Sequence, residues 1–118
     1  MIGLCIATTA GVSRLAVAAF TLAWTHSVEK VDWQEDWIVE ETRLILVESR
    51  IKGSGAGMEP GENAVWRDGW WAWRPQVALE ELVLGDSGEA GQWRICSPDC
   101  HALADPAHAP YRLTSCPL

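Results

Sequence analysis

The side chains best suited to chemistry fall in three short stretches. The first is Trp24-Thr25-His26-Ser27-Val28-Glu29-Lys30. An imidazole beside a hydroxyl and a carboxylate suits ligand binding or acid–base work. Successive residues of a strand point to opposite faces, which argues against His26 and Ser27 forming one nucleophile pair. His26, Ser27 and Glu29 are therefore candidate ligand-binding residues; the alternative for His26 is a hydrogen-bonded core histidine that anchors a strand end. The second stretch is Gly53-Ser54-Gly55-Ala56-Gly57. It lacks Gly-Lys-Ser/Thr, and Met58 stands where a dinucleotide fingerprint needs its third glycine. A plain turn is one reading, and a backbone-amide pocket for a carboxylate at Gly55 and Gly57 is the other.

The third stretch is Cys96-Ser97-Pro98-Asp99-Cys100-His101, with His108 and Cys116 beyond it. Zinc takes Cys and His ligands, but the cysteine spacing is loose and there is no second tight pair, so no metal is assigned. Four cysteines, with Cys5, allow three full pairings, and the count does not choose among them. A Cys96–Cys100 bridge, or a bridge from one of these to Cys116, requires an oxidising compartment; in a reducing one the thiols stay free. The acids Glu35, Asp36, Glu40, Glu41, Glu48, Glu80 and Glu81 show no spacing that singles out a catalytic pair. No catalytic residue and no cofactor is nominated.

Tryptophan is the compositional anomaly, with eight in the chain. Each brings a large apolar surface and an N–H that needs an acceptor. Most belong in a core, but adjacent Trp70 and Trp71 cannot both face the core from one strand. Trp66, Trp70, Trp71 and Trp73 are therefore the candidate partner-binding residues.

The elements that must position these groups read as strands. Val17–Val28 alternates, with Phe20, Leu22, Trp24, His26 and Val28 on one face. A shorter strand covers Gly3–Ala7, with Gly11 at a turn. Val31–Glu40 alternates again, with Trp33, Glu35, Trp37 and Val39 on one side. Leu44-Ile45-Leu46-Val47 is apolar on both faces, as a central strand would be. Glycines and a proline make 52–63 a loop. Asp68-Gly69 marks a tight turn inside the aromatic stretch. Val77–Leu84 reads as one strand forming a hairpin with Gln92–Cys96. Beyond Ser97 the prolines predict an irregular tail, with one short strand at Tyr111–Thr114. The expected fold is all-β: a small antiparallel sandwich or barrel, one domain over 1–118, core about 3–96, tail 97–118.

The chain has 118 residues, 48% hydrophobic and 21% charged, which marks a globular protein. A net charge of -7 makes nucleic acid and anionic membranes poor partners. Arg14 interrupts the apolar start, short of the roughly 20 apolar residues a membrane helix needs. No basic residue precedes that stretch, as a signal peptide would require. The expectation is no transmembrane segment and a cytoplasmic location by default, with the periplasm as alternative.

Phe20-x-Leu22-x-Trp24-x-His26-Ser27-Val28-Glu29, then Glu35-x-Trp37, Leu44, Glu48 and Gly55-Ala56-Gly57-Met58 resemble the pattern of a bacterial family of unknown function, DUF1850. The resemblance runs from about Leu4 to Cys100 and is most specific at the His-Ser-Val and Gly-Ala-Gly-Met stretches. Genes of that family often lie beside tripartite (TRAP, TAXI-type) transporters of small carboxylates, and some relatives look exported. The resemblance thus implies a non-enzymatic accessory or interaction protein whose partner is a TRAP permease or solute receptor. The alternatives are a binding module for a small carboxylate or sugar, and an enzyme using His26 as acid–base.

Overall fold

The structure, a computed structural model, describes residues 1–26, 31–53, 61–85, 93–103 and 110–118, with only the backbone of His26. Its strands are β1 (Ile2–Thr8), β2 (Gly11–Leu15), β3 (Ala19–His26), β4 (Val31–Val39), β5 (Leu44–Lys52), β6 (Val65–Arg67), β7 (Trp70–Trp73), β8 (Val77–Leu79), β9 (Glu81–Leu84), β10 (Arg94–Cys96), β11 (Cys100–Ala102) and β12 (Tyr111–Pro117). They form two antiparallel sheets that do not close into a barrel: a small one, β2-β1-β12-β9, and a large one, β11-β10-β3-β4-β5-β7-β6, with β8 also paired to β5. The fold is an all-β sandwich. No helix among the described residues is long and apolar enough to cross a membrane, which says nothing of a β-barrel.

Alternation fills the space between the sheets. Leu4, Ile6, Leu84, Tyr111 and Leu113 come from the small sheet. Phe20, Leu22, Trp37, Val39, Leu44, Leu46 and Ile95 meet them from the large one. Each fully buried leucine removes enough apolar surface from water to contribute about 1.5–3 kcal/mol.

One irregularity resets the pattern of β5. Asp36 pairs with Glu48 but Trp37 pairs with Leu46, so Val47 is an extra residue on β5. Leu44 and Leu46 face inward before this bulge, and Ser49 and Ile51 face inward after it. The doubly apolar run is central as expected, and it absorbs a change of phase.

Three expectations need correction. The 77–84 stretch is two strands, not one: β8 pairs with β5 in the large sheet, and β9 pairs with β12 in the small one. The chain changes sheets at Glu80, so the hairpin into Gln92–Cys96 does not form; β10 pairs with β3 and β11 instead. The tail is not irregular where it is described. β12 runs to Pro117 and is central in the small sheet, between β1 and β9. Tyr111 and Leu113 are buried in the core, which therefore extends well past residue 96. The short strand expected at Tyr111–Thr114 does form, and it continues to Pro117.

Disulfides join Cys5 to Cys116 and Cys96 to Cys100. The first ties neighbouring strands β1 and β12. The second closes the β10–β11 hairpin, where the two cysteines are register partners.

Candidate functional site: the two faces of the large sheet

Antiparallel register turns isolated tryptophans into a row. Trp24 on β3 lies opposite Trp33 on β4, and Trp33 lies opposite Ile51 on β5. Ile51 lies opposite Trp71 on β7, and Trp71 opposite Trp66 on β6. Trp93, just before β10, extends the row beyond Trp24, with ring centroids 4.9 Å apart. Trp24 and Trp33 stack at 5.7 Å, and Trp66 meets Trp71 edge-on at 5.2 Å. Such pairs add about 0.5–1.5 kcal/mol each beyond their buried area. The adjacent cross-strand row is Leu22, Glu35, Ser49 and Trp73, and Trp73 turns its ring edge-on to Trp33 at 6.1 Å. Gly61 lies so close to the Trp73 indole that a Cβ there would collide with it.

This inner face carries unmatched polarity. The indole N–H of Trp93 donates to the Gly85 carbonyl at 3.0 Å, and that of Trp37 donates to Glu35 Oε1 at 3.2 Å. The indole N–H of Trp33 is buried and has no acceptor among the described residues. Burial pushes the Glu35 carboxyl above its ordinary range, and the bond from Trp37 only partly offsets this. Ser49 is 4% exposed. Glu35, Trp33 and Trp73 each keep part of their surface in solvent.

The outer face of the same strands is matched throughout. Arg50 donates to Asp36 and Glu48 at 2.6 Å and to Gln34 at 2.9 Å. Arg67 reaches Glu48 at 2.9 Å, Thr21 donates to Asp36 at 2.7 Å, and Thr25 to Asp32 at 2.6 Å. Burial raises Asp36 and Glu48, but the Arg50 hydrogen bond, a second bond from Thr21 or Arg67, and the arginine charges outweigh it, leaving both acids low. Lys52 places its ammonium 5.2 Å from the Trp70 ring centroid on this face.

The expected site residues separate accordingly. Trp70 and Trp71 do point to opposite faces: Trp70 pairs with Lys52 on the outside, Trp71 with Ile51 on the inside. Trp66, Trp71 and Trp73 share the inner face, and Trp66 is 53% exposed. The side chain of His26, and Ser27, Glu29, Gly55 and Gly57, lie outside the described residues. The His26 backbone closes β3 opposite Val31, one pair beyond Thr25–Asp32 and two beyond the Trp24–Trp33 rung. The residues not singled out from sequence as a site are Trp24, Trp33, Trp93, Glu35 and Ser49. Their signal was the shared phase of Trp33, Glu35 and Trp37 with a carboxylate on an otherwise apolar side. Among the described residues no group of His, Cys, Asp or Glu is placed to hold a metal ion.

Fold and site together define an all-β sandwich with a tryptophan-lined inner face on one sheet. Residues 20–103 match the domain of unknown function DUF1850, and the chain belongs to that family. No curated protein and no solved structure matches it.

Proposed function

We propose that this is a non-enzymatic accessory or interaction protein of a TRAP-type carboxylate transporter, docking on the permease or solute receptor through the β6–β7 hairpin. The observation that carries the reading is the edge strand β6, where Val65 and Trp66 are 56% and 53% exposed. An open edge with a large aromatic backed by a second tryptophan fits the anchor of a protein interface. Membership of the family supports the transporter association, through the gene neighbourhood that goes with it. The self-neutralising charges of the outer face support a binding role over catalysis. Two disulfides call for an oxidising compartment, which favours the periplasm over the cytoplasm.

The test is affinity capture of the tagged chain from its own cells, fractionated into membranes, periplasm and cytoplasm and read by mass spectrometry. The wild type captures a permease or solute receptor, and Trp66→Ala recovers about tenfold less of it, as loss of an interface anchor does. Equal recovery by the variant removes the hairpin from the interface. Recovery of no transporter component rejects the association, and recovery from the cytoplasm alone rejects the compartment.

A second reading, a small-ligand binding module, is favoured by the buried Trp33 N–H that has no acceptor among the described residues. Such groups are rare in folded chains and are accounted for by water, an ion or a ligand.

A further inference from the structure

The inner and outer faces of the large sheet differ in charge as well as in size of side chain. Arg50 and Lys52 on β5, Arg67 on β6 and Arg94 on β10 all occupy outer-face register positions. The inner-face positions of the described strands hold no Lys or Arg, and their one carboxylate is Glu35. Around Glu35 stand Trp33 and Trp37 on its own strand, Leu22 and Ser49 on its neighbours, and Trp73 beyond Ser49. Indole faces are electron-rich and attract cations, most strongly where water is partly excluded. A carboxylate ligand would meet only a like charge on these positions. The whole chain adds to that preference, with a net charge of -7.

We infer that the Trp33–Glu35–Ser49–Trp73 patch binds a small organic ammonium that also carries a neutral oxygen acceptor, such as an amino alcohol. The ammonium sits against the indole rings and the Glu35 carboxylate, and the oxygen accepts the Trp33 N–H that the described residues leave unused. Desolvation opposes ionisation of Glu35 in the empty site. A bound cation supplies the missing counter-charge and favours the carboxylate form. This inference rests on the small-ligand reading and names its ligand class.

The experiment is a tryptophan-fluorescence titration of the intact chain with choline, tetramethylammonium, 3,3-dimethylbutan-1-ol (the neutral isostere of choline), succinate and glucose. Choline gives a saturable change, and the neutral isostere binds at least about tenfold more weakly, since it lacks the charge that rings and carboxylate recognise. Glu35→Gln weakens choline by about tenfold or more, the scale of losing one opposite charge in a partly desolvated site. Trp33→Phe keeps a ring but removes the N–H, so it weakens choline by a larger factor than it weakens tetramethylammonium. Near-UV circular dichroism checks each variant's packing, and the choline–isostere comparison needs no variant. Equal binding of choline and its isostere, or a Glu35→Gln variant with unchanged affinity, overturns the inference. Saturation by succinate or glucose without choline overturns it and preserves the small-ligand reading. Silence across all five probes removes both.

Discussion

Glu35 and Asp36 are consecutive residues of one strand, yet the sandwich treats them in opposite ways. Asp36 faces outward into Thr21 and Arg50, and its proton is easily lost. Glu35 faces inward among tryptophans, and its proton is held. On the outer face Arg50 and Arg67 between them engage Asp36, Gln34 and Glu48. On the inner face an acid and an indole N–H stand without full partners. A matched network stabilises a sheet and leaves nothing for a visitor to bind. An unmatched one costs stability and is kept where something else completes it.

Three perturbations sharpen that contrast. The largest is Trp24→Ala, which removes a ring stacked on Trp33, tilted against Trp93 and packed on the core. Urea unfolding shows a loss of about 3–4 kcal/mol, the cost of truncating a large core aromatic. A loss below about 1 kcal/mol would mean that the row is surface decoration, not a continuation of the core. Next is Arg50→Ala, which frees Asp36 and Glu48 to repel each other across β4 and β5. It costs about 2 kcal/mol at neutral pH, less than a buried pair because Asp36 is well solvated. The deficit shrinks in acid as both carboxylates take up protons.

The smallest effect is the dependence of stability on pH. Asp36 and Glu48 are held below their ordinary values of 3.8 and 4.5, so their contribution is present above those values and is lost as pH falls through the lower folded-state ones. Glu35 is held above 4.5, so its contribution is full below that value and is lost as pH rises through the higher folded-state one. Stability measured across pH therefore falls on both sides of this region. Glu35→Gln flattens the limb above 4.5 and leaves the acid limb alone, and Arg50→Ala does the reverse. If Glu35→Gln leaves the upper limb unchanged, the two faces do not differ in the way described.

Much of this was legible from alternation alone. The phases of β3 and β4 already placed Trp24, Trp33, Glu35 and Trp37 on apolar sides, and Asp32, Gln34 and Asp36 on polar ones. Alternation does not tell which residue lies opposite which. The Trp24–Trp33 rung depends on register, and the Ile51–Trp71 rung depends on the bulge at Val47, which no local rule announces. Glu35 looked like one acid among seven because much of its setting, Leu22, Ser49 and Trp73, comes from other strands. The hairpin prediction failed for a similar reason. The 77–84 stretch is uniform in pattern, and only the geometry of two sheets divides it at Glu80.

The position of β12 sets the order of assembly. The small sheet is closed by β12, with β1 pairing Ile2 to Pro117 and the Leu118 amide reaching the Met1 carbonyl at 3.0 Å. On a ribosome, β1 emerges well before its β12 partner. Until then β1 has only the β2 hairpin, and the core face of β3 and β4 lacks Tyr111 and Leu113. Contacts so distant along the chain make for slow folding and a long exposure of apolar surface. The Cys5–Cys116 bond, spanning a separation of 111 residues, then acts as a clasp on a ring that closes only once β12 has paired.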